Sequence, residues 1–363
     1  MIKLLIVDDS ALMRKLLEGI FVGQGDFEVK LARNGTEALE LVHSFDPHVI
    51  TLDVQMPGMD GLSCLAKIMI ETPRPVVMIS SLTEEGADAT LEAMHLGAID
   101  FVGKPSGAIS LEIDSLRPIL IEKVRGAANA RINRALRLRE RVRHQFRAVK
   151  GDGEGLAPSF ARTSGDRLSP GLVLIGTSTG GPAALDIVLP QLPADLPWPV
   201  LVAQHMPSTF TNSLARRLDN YCQLRVVEVA RPTPLLPGTI YIGRGDADVI
   251  VSARKAGIVA MPAPAQTGYL WHPSVERMVN SAMQYYEPQR LVGVMLTGMG
   301  HDGANAMTRL KQAGGRTIAE SETTAVVWGM PGELIKAGGA NMVVDIDDVA
   351  QVLVQTVDPD ATH

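Results

Sequence analysis

In two stretches of the chain, short runs of β-branched and other apolar residues alternate with longer segments of helical periodicity. The first stretch covers about residues 1–122, and the second begins at Gly171. Such alternation is typical of parallel sheets whose strands are joined by crossover helices. The length of 363 residues also exceeds the size at which one hydrophobic core usually keeps growing. The sequence therefore predicts an α/β protein with two doubly wound parallel-sheet domains.

Each domain is predicted to contain five or six short strands. In the first domain the predicted strands are Lys3–Val7, Phe27–Ala32, Val49–Leu52, Val76–Ile79 and Asp100–Val102. In the second domain they are Leu172–Ile175, Val200–Ala203, Thr239–Ile242, Val249–Val251, Leu291–Leu296 and Met342–Val344. We expect the first domain to span residues 1–123 and the second residues 171–355, followed by a polar tail over 356–363.

The region between the domains, residues 124–170, differs in composition from both. Asn129–Arg147 is rich in Arg and has helical periodicity, whereas Gly151–Ser169 is rich in Gly, Ser, Pro and Asp, which indicates a flexible linker. A cluster of Arg can bind RNA or anionic lipid, but Phe146 is the one aromatic residue within it. A solvated helix between the domains is the favoured interpretation.

Composition excludes several classes of protein. The net charge of -6 argues against nucleic-acid binding over the whole surface, and Cys64 and Cys222 are too few for a disulfide framework or a zinc site. Met1–Val7 lacks the features of a signal peptide, and no apolar run approaches the roughly 20 residues that cross a bilayer. We therefore expect a cytoplasmic protein that is not embedded in a membrane and does not bind nucleic acid.

The predicted strands of the first domain end next to a set of polar side chains. Asp8 and Asp9 follow the first strand, Asp53 closes the third, Ser80 follows the fourth and Lys104 follows the fifth. The carboxyl ends of parallel strands share one edge of the sheet, where functional groups gather. Clustered carboxylates attract Mg²⁺, and an aspartate that attacks phosphorus forms an acyl phosphate whose oxygens Lys104 and Ser80 can contact.

Taken singly, these residues have simpler explanations, because Asp8 or Asp9 could cap a helix and Lys104 could be solvated. The ordered set is more specific. The segments that contain it, Leu5–Asp9, Leu52–Pro57, Met59–Gly61 and Phe101–Pro105, resemble the response-regulator receiver family across residues 1–122.

That resemblance implies a flavodoxin-like fold in which Asp53 is the phosphoacceptor. The implied Mg²⁺ ligands are Asp8, Asp9, Asp53 and the backbone carbonyl of Gln55. The implied switch residues, which respond to phosphorylation of Asp53, are Ser80, Phe101 and Lys104.

A second set of polar residues begins at Gly176–Gly181, directly after an apolar strand. Gly176, Ser178 and Gly180 satisfy the Gly-x-Ser-x-Gly pattern, in which small neighbours permit a sharp turn that exposes the serine hydroxyl, and Pro182 marks a helix start. A phosphate-binding loop is the alternative, but this segment lacks the lysine of a Walker loop and the glycine spacing of a dinucleotide site.

A serine nucleophile needs a base and an orienting carboxylate. His205 and Asp302 both follow predicted strands of the second domain, so we expect them at the same edge as Ser178. Their order along the chain differs from that of the α/β-hydrolases. The rival histidines are His272 and His301, and the rival acids are Asp246, Asp248 and Glu276.

The second domain resembles the catalytic domain of the chemotaxis protein-glutamate methylesterase family from Gly171 to about Val354. The matching segments are Gly176–Pro182, Gln204–Pro207, Pro273–Val275, Leu296–Gly303 and Val327–Pro331. The resemblance implies that Ser178 is the nucleophile, His205 the general base and then acid, and Asp302 the orienting residue, with Met299 and Thr179 forming the oxyanion hole. It implies no cofactor for ester hydrolysis.

The same resemblance implies an enzyme that removes methyl groups from glutamates of methyl-accepting chemotaxis receptors and can deamidate receptor glutamines. A chemotaxis histidine kinase would supply the phosphoryl group. We hypothesise that the unphosphorylated receiver covers the triad and that phosphorylation weakens this docking. The alternatives are a receiver-controlled serine esterase with another substrate and a response regulator that acts by binding without catalysis.

Overall fold

The computed structural model of the protein describes residues 1–104, 109–130, 171–255 and 257–358, with side chains in the second range described from Leu116 onward. Most of the predicted Arg-rich helix, all of the predicted flexible linker and the last residues of the predicted tail lie outside the described residues. The helix that ends the first domain runs on into the predicted linker region and ends at Ala128.

The first domain contains one parallel sheet, and all five predicted strands are present. The strands are β1 (Ile2–Val7), β2 (Phe27–Ala32), β3 (Val49–Asp53), β4 (Val76–Ser80) and β5 (Asp100–Gly103). The helices are α1 (Ala11–Val22), α2 (Gly35–Phe45), α3 (Gly61–Glu71), α4 (Glu84–Leu96) and α5 (Ile109–Ala128). The strand order β2-β1-β3-β4-β5 reverses direction between β1 and β3, which is the doubly wound arrangement expected from the sequence.

Local sequence explains why helices begin so soon after these strands. Ser10, Asn34, Asp60 and Thr83 cap α1 to α4, and each side-chain oxygen accepts a hydrogen bond from a backbone N–H in the first helical turn. The helices therefore start close to the carboxyl edge of the sheet and leave the strand-end side chains in fixed positions.

The second domain is built on a seven-stranded parallel sheet with the order β15-β14-β13-β6-β7-β10-β8. Its strands are β6 (Leu172–Thr177), β7 (Val200–Gln204), β8 (Arg225–Val229), β10 (Thr239–Gly243), β13 (Leu291–Met295), β14 (Arg316–Glu320) and β15 (Met342–Val344). Its helices are α6 (Gly181–Val188), α7 (Ser208–Asp219), α8 (Val275–Ala282), α9 (Ala304–Gln312), α10 (Met330–Lys336) and α11 (Ile346–Val357). The prediction of two parallel-sheet α/β domains is thus confirmed.

The sequence did not predict a second, antiparallel sheet in this domain. It consists of β9 (Thr233–Pro234), β11 (Ala247–Arg254) and β12 (Gly257–Pro264). The predicted strand Val249–Val251 lies here rather than in the parallel sheet. Burial alternates over Val249–Ser252 of β11 and the last two residues of this strand are exposed, whereas β6 is buried throughout, as expected for a surface hairpin and a central parallel strand.

The order of the parallel sheet places its switch point at β6 and β13, because successive strands lie on opposite sides of this pair. Ligands of open α/β sheets bind beyond the carboxyl ends of the strands at such a point. None of the helices in the described ranges is long and apolar enough to cross a bilayer.

The two domains pack against each other. Phe101 of β5 contacts Phe210 of α7, with ring centroids 4.4 Å apart, and both side chains are buried. Two hydrogen bonds also cross the boundary, one from Gly180 N to the Ile99 carbonyl at 3.1 Å and one from Arg217 Nη1 to the Leu91 carbonyl at 3.3 Å. Strand β5 and helix α4 of the first domain therefore hold the start of α6 and helix α7 of the second.

Buried Glu320, at the end of β14, predicts a pH dependence of stability. Its Oε2 accepts a hydrogen bond from Thr297 N at 2.7 Å, and burial raises its pKa to about 7. The folded state then binds more protons than the unfolded state between about pH 4.5 and 7, so the free energy of unfolding should fall across this interval, by up to about 3 kcal/mol.

Chemical denaturation of the wild type and of Glu320→Gln at a series of pH values measures this effect. The glutamine keeps an acceptor for Thr297 N but does not titrate, so the stability difference between the two proteins should shift in favour of the variant as pH rises from 5 to 8. A difference that stays constant over this range would contradict the prediction.

Candidate active site and phosphorylation site

Three carboxylates of the first domain meet at the carboxyl edge of its sheet. One oxygen from each of Asp8, Asp9 and Asp53 lies within 4.8 Å of the others. Lys104 Nζ lies 2.6 Å from Asp53 Oδ2 and 3.0 Å from Asp8 Oδ2. The structure therefore brings together the candidate phosphoacceptor, two of the candidate metal ligands and the lysine.

The donor set suits a hard divalent cation. Asp8 Oδ2 is buried and, apart from its ion pair with Lys104, has no polar partner within the described residues. Burial and the nearby charge of Asp8 raise the pKa of Asp53 above its ordinary value, while Lys104 opposes this shift. A Mg²⁺ ion would relieve this repulsion. Gln55 lines an open cavity of about 540 Å³ together with Asp9, and its N–H donates to Asp53 Oδ1 at 3.2 Å.

The two other candidate switch residues point away from Asp53 towards the elements that contact the second domain. Ser80 Oγ donates a hydrogen bond to the Gly86 carbonyl in α4 at 3.1 Å. Phe101 is buried and packs on Phe210. Ser80 therefore contacts α4, and Phe101 is itself part of the contact with the second domain.

In the second domain, Ser178 occupies a sharp turn between β6 and α6. Gly180 has the positive φ of 78° that such a turn requires, and α6 begins at the next residue with Pro182 in its first turn. The elbow predicted from the Gly-x-Ser-x-Gly pattern is present in this geometry.

Thr297, after β13, holds the elbow in place. Its carbonyl accepts hydrogen bonds from Ser178 N at 3.1 Å and from Thr177 Oγ1 at 2.8 Å. Its hydroxyl donates to the Thr179 carbonyl at 3.0 Å. At Gly298 a Cβ atom would lie 2.9 Å from Ser178 Cβ, so only glycine lets this loop approach the elbow so closely.

Strand register places His205 beside Ser178. Thr177 pairs with Gln204 across β6 and β7, so the residues that follow them are neighbours, and His205 N donates to the Thr177 carbonyl at 3.1 Å. His205 Nε2 lies 2.9 Å from Asp302 Oδ2, whereas its buried Nδ1 has no hydrogen-bond partner within the described residues, Ser178 included. The structure thus joins the predicted base and acid and leaves the other ring nitrogen available.

Two further contacts define the environment of this pair. The ring of Trp271 stacks on the His205 ring, with centroids 5.6 Å apart and planes 8° from parallel. Burial raises the pKa of Asp302, but hydrogen bonds from His205 and from the backbone N–H groups of Val275 and Glu276 outweigh it, so the net pKa is below the ordinary value. Asp302 is therefore an anion beside the imidazole.

One candidate oxyanion donor, Thr179, belongs to the elbow itself, and the other, Met299, lies in the loop after β13. The N–H groups of Thr179 and Met299 donate to no acceptor within the described part of the chain. The side chain of Thr179 has a different role, because its hydroxyl donates to Asp100 Oδ2 of the first domain.

The rival residues have other partners. His272 Nδ1 lies 2.8 Å from buried Asp248, which also accepts from Arg277, and Asp246 accepts from Ser208. Glu276 pairs with Arg309 at 2.5 Å, and His301 is exposed. The pair formed by His272 and Asp248 was not foreseen in the sequence.

One side chain of the first domain lies beside the candidate triad. Glu122 of α5 lines a cleft of about 330 Å³ together with Trp271, His301 and Asp302. Burial raises the pKa of Glu122, while His205 and His301 lower it in part. Sequence reasoning missed Glu122, Trp271 and Thr297, although Thr297 lies in the Leu296–Gly303 segment that carried the resemblance.

Comparison with known proteins covers both domains. Residues 4–113 match the family model for the response regulator receiver domain, and residues 173–353 match the model for CheB methylesterase. Similar proteins include protein-glutamate methylesterase/protein-glutamine glutaminase 2 of Rhodopseudomonas palustris (strain BisB18), which is 61% identical over 99% of this chain and 100% of its own length. A second relative is protein-glutamate methylesterase/protein-glutamine glutaminase 3 of Rhodospirillum rubrum, 53% identical over 96% of this chain and 95% of its own length.

Among solved structures, the crystal structure of the Thermotoga maritima CheB methylesterase catalytic domain is similar to the second domain. It is 36% identical, has a TM-score of 0.50, and the match covers 52% of this chain and 99% of that chain. The chain thus contains a receiver domain followed by a methylesterase domain, and its similarity to these relatives extends over nearly their full length. The chain is therefore a member of the protein-glutamate methylesterase/protein-glutamine glutaminase family.

Proposed function

We propose that this protein demethylates methyl-glutamates, and deamidates glutamines, of methyl-accepting chemotaxis receptors under the control of receiver phosphorylation. The observation that carries the proposal is the register of β6 and β7, which sets Ser178 beside His205. Asp302 holds Nε2 of this histidine, and its Nδ1 has no hydrogen-bond partner in the described part of the chain. In this proposal residues 171–355 form the hydrolase and residues 1–123 form the receiver.

The hydrogen bond to Asp302 decides which nitrogen of His205 acts as the base. Asp302 is an anion and can only accept, so Nε2 carries the proton and Nδ1 has the lone pair. Nδ1 takes the Ser178 proton as the hydroxyl oxygen attacks the ester carbonyl. His205 then protonates the leaving methanol, or ammonia from a glutamine, and water attacks the acyl-enzyme by the reverse proton path.

Negative charge develops on the carbonyl oxygen during both steps. The N–H groups of Thr179 and Met299 are the proposed donors to this oxyanion, and a well-placed donor is worth roughly 3 kcal/mol. The imidazolium that forms on His205 is stabilised by the Asp302 carboxylate and by the face of Trp271.

In the receiver, Asp53 is the proposed phosphoacceptor, and a chemotaxis histidine kinase is the proposed donor. Asp8, Asp9, Asp53 and the Gln55 carbonyl would hold Mg²⁺, which when bound neutralises charge on the phosphoryl oxygens. The ammonium group of Lys104 already contacts the Asp53 carboxylate, so it can contact the phosphoryl oxygens once Asp53 is phosphorylated. We place the reaction in the cytoplasm, where receptor signalling domains and the kinase would meet the enzyme.

The contacts between the domains support regulation by covering. Asp100 of β5 binds the hydroxyl of Thr179, next to the nucleophile, and Glu122 lies in the cleft beside His301 and Asp302. Phosphorylation that moves Ser80 or Phe101 acts on α4 or β5, which contact the second domain through Leu91 and through Asp100 respectively. Release of the receiver would open the cleft to a receptor helix.

Substitution of Ser178 tests the reaction. We expect Ser178→Ala to abolish methanol release from methylated receptor membranes, and Asp302→Asn to lower kcat by roughly 10³- to 10⁴-fold, because the imidazole loses its orientation. Release that survives in Ser178→Ala would contradict the serine mechanism. Turnover of small esters with no release from receptors would favour the alternative of an esterase with another substrate.

Divalent cations should be required for stimulation of the enzyme by a phosphodonor but not for ester hydrolysis itself. With a small-molecule phosphodonor and Mg²⁺, we expect the full-length wild type to gain activity, and chelation with EDTA before donor addition should prevent the gain without lowering basal activity. Asp53→Asn should show the same basal rate with and without donor. Stimulation of Asp53→Asn would place the phosphorylation site elsewhere.

A wedge in the domain contact tests the covering hypothesis. A side chain at Gly126 of α5 would meet Met299, whereas Gly19 of α1 has open space around its Cβ position. We expect Gly126→Leu to raise the activity of the unphosphorylated enzyme by about tenfold, since overpacking costs about 1–3 kcal/mol. The matched control Gly19→Leu should not, and equal basal rates in both variants would contradict covering by the receiver.

A further inference from the structure

Asp248 is a fully buried carboxylate close to the proposed triad that takes no part in the reaction described above. It lies on β11, and its Oδ1 accepts hydrogen bonds from Ser274 N at 2.7 Å and His272 Nδ1 at 2.8 Å. Arg277 binds Oδ2. All three donors belong to residues 272–277, the short segment that leads into α8.

The same segment supplies most of the hydrogen bonds to Asp302. Ser274 Oγ donates to Oδ1 at 3.0 Å, Glu276 N donates to Oδ1 at 3.1 Å, and Val275 N donates to Oδ2 at 2.7 Å. Together with His205 Nε2, these donors occupy both oxygens of Asp302. The carboxylate cannot rotate without breaking several bonds at once.

The segment is thus held from one side by Asp248 and itself holds Asp302 on the other. Ser274 joins the two carboxylates directly, because its N–H donates to Asp248 and its hydroxyl donates to Asp302. Outer partners of this kind fix the orientation of a functional group that acts through its own hydrogen bond.

We infer that Asp248 and Ser274 are positioning residues for the catalytic His–Asp pair: Asp248 anchors segment 272–277 so that its donors aim Asp302 Oδ2 at His205. This inference rests on the proposed hydrolase mechanism. It differs from a purely structural role, in which Asp248 would stabilise the start of α8 without affecting turnover.

Ser281 provides a matched control on the same helix. Its Oγ accepts from Val251 N of β11 at 2.9 Å and donates to the Met278 carbonyl at 2.8 Å, so it also links α8 to β11. No contact of Ser281 reaches Asp302 among the described residues. Ser281→Ala therefore removes a bond between the same two elements without touching the pair.

The test uses the full-length enzyme with phosphodonor and Mg²⁺, and measures kcat and KM for methanol release from methylated receptor membranes. We expect kcat to fall about tenfold in Ser274→Ala and about 10- to 100-fold in Asp248→Asn, with KM changed less than about twofold. Ser274→Thr keeps the hydroxyl and should recover most of kcat. Ser281→Ala should stay within about twofold of wild type.

A double-mutant cycle separates positioning from structure. Once Asp302 is replaced by Asn, adding Ser274→Ala should cost less than about twofold more in single-turnover rate, because both changes act through the same carboxylate. Full kcat in Ser274→Ala, or losses that multiply in the Asp302→Asn background, would overturn the inference while Ser178-dependent turnover of the wild type stands. Absence of that turnover in the wild type would instead overturn the proposed function, and the inference with it.

Discussion

The catalytic centre depends on the parallel pairing of β6 with β7 on one side and with β13 on the other. Thr177 is opposite Gln204, and Gly176 is opposite Met295, so the three strands end nearly level. The residues that follow must then share one edge. The backbone bonds from Ser178 and His205 extend this alignment by one residue, since Ser178 N reaches Thr297 O and His205 N reaches Thr177 O. Strand register therefore brings Ser178 and His205 together, whereas Asp302 lies in the loop after β13 and is also held by Ser274, Val275 and Glu276.

This geometry explains which residues could be found from the sequence. Apolar runs that are recognisable as buried strands lead to four of the site residues. Asp53 is the last residue of such a run, and Ser178, His205 and Lys104 each come shortly after one. A parallel sheet brings such positions together whatever their separation along the chain. The same reasoning located Asp302, because its strand β13 is equally apolar.

The sequence did not predict a strand whose apolar pattern is short, nor the roles of residues whose partners are distant in the sequence. Strand β14 was missed because it begins with Arg316 and ends with Glu320, so its run of uncharged residues, Thr317–Ala319, is only three residues long. The sequence offered Asp248 only as a rival acid and gave no role to Trp271, because their contacts, to the start of α8 and to His205, are made across the tertiary structure. No local periodicity records such contacts. Glu122 required knowledge of how the two domains pack.

In the described part of this domain, His205 pairs with Asp302 and His272 pairs with Asp248. The two pairs differ in which other groups compensate the charge of the aspartate. Arg277 forms an ion pair with Asp248, so a permanent cation already compensates this carboxylate. Among the described residues, the donors to Asp302 besides His205 are neutral, namely the Ser274 hydroxyl and two backbone N–H groups. The charge of Asp302 is therefore left to stabilise an imidazolium on His205. This difference favours His205 as the base on electrostatic grounds, independently of strand register.

The contact of Asp100 with Thr179 suits a reversible interface, because the charge of Asp100 is compensated within its own domain. Asp100 Oδ1 is bound to Lys123 Nζ at 2.6 Å within the receiver, and its other oxygen accepts from Thr179. When the domains separate, the buried charge of Asp100 keeps its cation, and only a bond to a neutral hydroxyl is lost. Leaving a buried charge unpaired would cost far more. In the proposed regulation, a shift of β5 upon phosphorylation of Asp53 would move the equilibrium between covered and open states.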